Sequence, residues 1–264
     1  MEFLEIERRA MQTSFDMSEP HSHDYYELYF LLEGTREFFS GDKMFVLSRG
    51  SFCVIPPFCL HKTEGGAYQR INVNISENFL KKEEIGFLDA CAEAGALRLD
   101  ETYLPLLISL LQEGLSIRAG KGSLRKDYEL SIVQTILYLL QKQELTPIPL
   151  GSAIPAFKSA DPVVLKILFY LNEKYKEEIT LDSLSAKYFL SKVALCARFK
   201  KFMRCSIMQY LMQIRLSKAK ELLASTNKSI EKIAEECGFS SANYFSLAFK
   251  KEIGLSPLHY RKTR

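Results

Sequence analysis

Three of the four histidines in this 264-residue chain, His21, His23 and His61, fall near its start, together with Glu27. The spacing is His-x-His-x-x-x-Glu, followed by Gly34 and later by Pro56-x-x-x-x-His61. Imidazole nitrogens and a carboxylate oxygen suit Fe, Mn, Ni, Cu or Zn, and such a centre does chemistry when one coordination position stays open. The same residues can instead line a small-ligand pocket, with Tyr26, Tyr29, Phe38, Phe45, Arg70, Asn72 and Asn74 as further contributors. Most of the aromatic residues of that set read first as barrel core. Other catalytic signatures are missing from the sequence: it has no GxGxxG, no P-loop and no plausible nucleophilic triad. His259 stands alone near the end and reads as structural or as a neighbour of phosphate. The chain is therefore not expected to be an enzyme.

A second chemistry lies at the other end. Residues 161–264 hold 19 Lys+Arg against 10 Asp+Glu, a net of +9, whereas residues 1–160 hold 16 against 22, a net of −6. A basic third beside an acidic remainder suggests a polyanion-binding domain joined to something else. Cys53, Cys59, Cys91, Cys196, Cys205 and Cys237 form no CxxC pair and sit mostly in apolar patterns, which favours a reducing cytoplasm over a disulfide framework. The start, MEFLEIERRA, is charged throughout and is not expected to be a secretory signal. No apolar run is long enough for a membrane span.

These side chains need elements to position them. Residues 21–75 read as several short strands: one ending at Gly34, two around Ser40-Gly41-Asp42, one stopped by Pro56-Pro57, and one alternating Ile71, Val73, Ile75 against Arg70, Asn72, Asn74. Close-spaced strands predict a barrel or jelly roll over 1–98. Helices are predicted over 100–118, closed by Gly120-Lys121-Gly122, and over 123–144, whose wide apolar stripe serves either the barrel or a second subunit. Three prolines, a glycine and two serines in 146–160 predict a semi-rigid linker. From 161 onward the pattern is helical, with Thr180, Ser191, Ser229 and either Ser240 or Ser241 as N-cap candidates. The predicted fold is α+β.

This helical third contains a repeat. Residues 180–211 and 229–261 share a cap, an apolar helix, an aromatic turn, a Ser, a second helix and a Phe-Lys-Lys end, at Phe199-Lys200-Lys201 and Phe249-Lys250-Lys251. Each copy reads as a helix-turn-helix, over about 180–203 and about 229–253, and Gly238 supplies the left-handed turn of the second.

With Ser229-Ile230, Ile233-Ala234, Gly238-Phe239, Tyr244-Phe245, Gly254, Ser256-Pro257 and Tyr260-Arg261, this third resembles the AraC/XylS family of transcription regulators. Leu184, Ser191, Leu195 and Tyr210-Leu211 match in the first copy, and Arg215-Leu216, Ala219 and Leu222-Leu223 match between the copies. The N-terminal half resembles the cupin-like sensing domain that many members carry, in which three His and one Glu converge inside the barrel. Here Phe58 stands where the second cupin motif has Gly, and the terminal Asn is missing after His61. The resemblance implies an effector-sensing barrel (1–98), a helical dimerisation segment (99–145), a linker (146–160) and a DNA-binding domain (161–264). It also implies that the two units enter successive major grooves of double-stranded DNA, about 34 Å or 10 bp apart.

By that resemblance the groove-facing positions are Lys192, Val193, Cys196 and Ala197 in the first unit, and Ala242, Asn243, Ser246 and Leu247 in the second, with Ser241 and Tyr244 beside them. Asn243 can pair bidentately with adenine, and apolar Leu247 can meet a thymine methyl group. Lys200, Lys201, Arg204, Lys250 and Lys251 are phosphate candidates. The reading is a cytoplasmic, homodimeric, DNA-binding regulator without membrane contact, controlled by a small-molecule effector at His21, His23, Glu27, Tyr29, His61, Arg70 and Asn72. No cofactor is required, although a divalent transition metal fits His21, His23, Glu27 and His61. The rival readings are a metal-dependent cupin enzyme with a DNA-binding tail, and a regulator that relies on a protein partner such as RNA polymerase.

Overall fold

The structure, a computed structural model, describes residues 3–262 apart from 16, 18–19, 42, 118–124 and 149–160. The Gly120–Gly122 stop and most of the linker expected over 146–160 lie outside the described residues.

The N-terminal half is built on β2 (Tyr26–Ser40), which runs through Gly34 instead of ending there. Its first part pairs antiparallel with β4 (Ser51–Ile55) and β6 (Tyr68–Ile75), and its second part with β3 (Lys43–Ser48) and β5 (His61–Glu64). The register slips between Leu31 and Glu33, and Gly34 takes φ +86°. A Cβ on Gly34 would lie 2.2 Å from the Ala67 carbonyl oxygen. Glycine therefore bends the strand from one sheet into the other where a side chain has no room.

Sequence reading missed β5 and four further elements. β1 (Leu4–Met11) pairs with β6, and its Ile6 is fully buried. α1 (Lys82–Ala94) precedes β7 (Ala96–Arg98), which pairs with β4. α2 (Leu104–Ile117) and α3 (Arg125–Lys142) follow. β8 (Thr146–Pro147) then pairs with β7, so the chain leaves the sheet later than the linker start at 146 assumed. The larger sheet runs β1-β6-β2-β4-β7-β8. Its outer face, with Ile6, Leu28, Phe30, Ile71, Val73 and Ile75, packs on Leu107, Leu111, Ile132, Val133 and Ile136 of the helices. Its inner face joins Tyr29, Leu31, Cys53, Ile55 and Tyr68 to Phe38, Phe45 and Leu47 of the smaller sheet.

The C-terminal third starts with α4 (Pro162–Lys174), whose N-cap Asp161 accepts from Val163 N. Two helix pairs follow, α5 (Leu181–Tyr188) with α6 (Lys192–Met203), and α8 (Ile230–Glu236) with α9 (Ala242–Ile253). α7 (Ile207–Ser225) joins them, and α10 (Pro257–Lys262) closes the second. Thr180, Ser191, Ser206, Ser229 and Ser241 each accept a backbone N–H at their helix start, so Ser241 rather than Ser240 caps α9. Each pair has its own core, with Leu195, Phe199 and Met203 in the first and Phe245 and Phe249 in the second. Burying each such side chain contributes about 1.5–3 kcal/mol. Gly238 adopts φ +77° in the second turn, and a Cβ there would lie 2.6 Å from the Tyr175 carbonyl oxygen.

Candidate nucleic-acid interface and sensing site

The helical pattern that buries Leu195, Phe199 and Met203 turns the other side of α6 outward. Lys192, Val193, Ala197, Lys200, Lys201 and Arg204 are exposed and Cys196 is half-buried. Val193 is 80% exposed, an apolar side chain that no described residue covers. Lys192 Nζ lies 2.5 Å from Asp182 Oδ1, so the cation expected to face the groove is paired with a carboxylate. On α9, Asn243, Tyr244, Leu247, Lys250 and Lys251 are exposed, while Ala242 and Ser246 are half-buried. Leu247 is 71% exposed. The Asn243 side chain makes no hydrogen bond to any described residue, whereas Ser241 Oγ is taken up by Tyr244 N at 3.2 Å. The paired lysines sit in the last turns of α6 and α9, where they also complement the helix dipole.

The residues expected to sense an effector lie in the β-half. His23 Nε2 lies 3.0 Å from Glu27 Oε2, and His61 Nε2 lies 3.7 Å from the same oxygen. The ligand atoms of His23, Glu27 and His61 all fall within 4.8 Å of one another. His21 stands outside this group. It is exposed, its ring centroid is 4.2 Å from that of His61, and its backbone pairs with His61. Tyr29, Arg70 and Asn72 share the inner face: Asn72 Nδ2 donates to Glu27 Oε1, and the Arg70 guanidinium lies 5.1 Å from the Tyr29 ring. Tyr26 does not line this space. It faces α1, where its hydroxyl donates to Asp89 at 2.7 Å.

The tautomers follow from the neighbours. His23 Nδ1 faces the Tyr25 carbonyl at 2.8 Å and His61 Nδ1 faces the Cys59 carbonyl at 3.0 Å. A carbonyl only accepts, so both Nδ1 atoms carry hydrogen and, in neutral rings, both Nε2 lone pairs point at the Glu27 carboxylate. Burial pushes the His61 imidazole down to about 3, so it is neutral near pH 7. Burial alone would raise the Glu27 carboxyl. A proton held on His23 Nε2 toward Glu27, together with the Arg70 guanidinium, outweighs it and holds Glu27 at about 2. Three acceptors thus converge, and something positive belongs between them, either a proton or a metal ion. A backbone carbonyl behind each imidazole is the usual support of a metal-binding histidine. Asn72 Oδ1 and Asn74 Oδ1 are also buried without a hydrogen-bond partner among the described residues. The donor set therefore fits a divalent transition metal on His23, Glu27 and His61.

Sequence reading missed Glu7, Ser22 and Lys220. Glu7 Oε1 holds Arg70 Nη1 at 2.9 Å. The alternation of β1 carried the signal, because its buried Ile6 turns Glu7 to the inner face. Lys220 Nζ donates to Ser22 Oγ at 2.8 Å across 198 residues, which no local pattern announces.

A two-sheet ligand domain joined to a pair of helix-turn-helix units defines a DNA-binding transcription regulator. Comparison with known proteins gives the family. Residues 4–83 match the profile described as an AraC-like ligand binding domain, and residues 184–263 match a helix-turn-helix domain. The chain is 26% identical over 268 aligned positions to the HTH-type transcriptional activator RhaR of Mannheimia succiniciproducens, covering 98% of this chain and 91% of the relative. It is 37% identical over 102 residues to the uncharacterized HTH-type transcriptional regulator YdiP of Escherichia coli K12, covering 39% of this chain and only 34% of that relative's length. Among solved structures, the C-terminal domain of AraT, a response regulator from Geobacillus stearothermophilus, is 37% identical, with a TM-score of 0.38, over 40% of this chain and 88% of that one. The chain belongs to the AraC family of transcription regulators. No described helix is long and apolar enough to cross a membrane.

Proposed function

We propose that this regulator is switched by a small effector held beside His21, His23, Glu27, Tyr29, His61, Arg70 and Asn72, and that it acts in the cytoplasm as a homodimer. Sensing is assigned to the β-half, dimerisation to α2 and α3, and DNA contact to α6 and α9. The observation that carries the reading is the pair of outward faces on α6 and α9, set at the two ends of α7, which shares its buried residues between both cores. Leu106, Tyr128 and Tyr138 stay at least half exposed on the helices of the β-half, which supports a second copy there. On α6 the pairing of Lys192 with Asp182 supports a unit that contributes phosphate and methyl contacts, leaving base reading to Asn243. A regulator with so little base chemistry in its first unit also has use for a protein partner such as RNA polymerase.

The test is titration of duplexes recovered by genome-wide binding, with and without a library of small molecules. An effector shifts the midpoint at least tenfold in the wild type and loses that shift in Asn72→Ala. An equal shift in Asn72→Ala counts against this location.

A second reading makes the effector, or part of it, a metal ion, and the convergence of three acceptor atoms favours it. Bound there, a divalent ion would supply a positive centre with room for an exogenous ligand. Cobalt(II) added to the metal-free protein is expected to give a ligand-field absorbance that Glu27→Gln and His61→Gln abolish. A cobalt-silent wild type ends this reading. The family membership favours a regulator over a cupin enzyme.

A further inference from the structure

The segment 56–60 links the sensing site to the helix that carries both DNA-reading units. Phe58 adopts φ +62°, a left-handed conformation that a bulky residue holds only when its surroundings enforce it. Its N–H donates to the His23 carbonyl at 2.6 Å. Its own carbonyl accepts from Ser217 Oγ on α7. Its ring packs against the core of the second helix-turn-helix, 5.8 Å from Lys220 Nζ. Ser217 and Lys220 are three apart on one helix face, and Lys220 reaches past Phe58 to Ser22, between His21 and His23. The next carbonyl, of Cys59, orients the His61 ring. Both histidines of the acceptor triad are therefore tied through backbone groups to one short segment that α7 grips by two side chains. Beside this contact lies a cavity of about 590 Å³, lined by 56–60 and by Ser217, Lys218 and Glu221. The cavity leaves one side of this contact unpacked, while Leu60 and the Phe58 ring sit in the helix-turn-helix cores.

We propose that Phe58 and Lys220 form a latch in which α7 completes the mouth of the sensing site, so that filling the site resets α7 and with it both helix-turn-helix units. Lys220 is then a positioning residue: it acts through Ser22 on the histidines, and it belongs to the DNA-binding third. The inference rests on the reading of the β-half as the sensing half.

The test is hydrogen exchange of α7 amides in the full chain without added ligand, with α3 amides as the internal control. Lys220→Met and Phe58→Gly are each expected to raise α7 exchange at least tenfold while α3 keeps its wild-type rates, and Lys220→Arg is expected to restore it. His61→Gln, or Glu27→Gln if the first fails to fold, is expected to raise α7 exchange as well, although neither residue has a hydrogen bond to that helix. Wild-type α7 rates in the His61 or Glu27 variant overturn the latch, and so do wild-type rates in Phe58→Gly. Failure of the sensing reading shows separately, as the absence of any small molecule or metal that shifts DNA affinity.

Discussion

Asn243 and Lys251 are proposed to divide the work of α9 between them. Asn243 is exposed and uncommitted within the described chain, and its amide matches the paired donor and acceptor of adenine. Asn243→Ala is expected to reduce the preference for specific over scrambled duplex by about 1–3 kcal/mol. Lys251→Ala is expected to weaken both duplexes alike and to lower the salt slope by about one. Titrations of both duplexes at two salt concentrations separate these effects, and identical losses from the two substitutions would sink the division. His61 makes a pH prediction. Its imidazole takes a proton near 6.5 when unfolded and only at about 3 when folded. Between those values the unfolded state binds more protons, so stability falls as pH drops through this window. Denaturant melts from pH 7 to 4 should show a shallower loss in His61→Gln, and an unchanged slope contradicts the burial of a neutral ring. At this scale the sequence was legible where chemistry is local. His23, Glu27 and His61 declared themselves by spacing, whereas Lys220 could not, because its partner Ser22 is brought near only by the contact between the two halves.

Caps and turns made the helical third readable as elements. Thr180, Ser191, Ser229 and Ser241 fix helix starts through a hydroxyl and a nearby N–H, an interaction complete within four residues. Gly238 was legible for the same reason, and the structure adds a second constraint in the Tyr175 carbonyl beside it. Gly238→Ala must adopt φ +77° and also displace that backbone, so a loss of about 1–3 kcal/mol or more is expected. Denaturant melts measure it, and a loss under about 0.5 kcal/mol contradicts the close approach. Strand reading did less well at β2. A glycine inside an apolar run signals either an end or a bend, and only the Ala67 carbonyl across the sheet decides for the bend. α1 was missed because its buried side is small, with Leu88 and Cys91 as its buried residues, so its periodicity is faint.

At the scale of the molecule, the charge division and the internal repeat point to two differently built parts, and the contact between them is what they left out. Phe39 and Leu60 of the β-half join the core of the first helix-turn-helix, and Lys62 Nζ donates to the Phe202 carbonyl at 3.0 Å. These contacts are made by side chains that read as ordinary strand residues, so nothing local marks them. They leave the outward faces of α6 and α9 uncovered, which is the arrangement a paired DNA reader needs. The most direct test of that central claim is a hydroxyl-radical footprint of the full chain on its recovered duplex. Two protected stretches on one face of the DNA, about 10 bp apart for each copy of the chain, are expected. Protection confined to a single groove per copy, unchanged by Val193→Glu on α6, would contradict a regulator that reads DNA with both units.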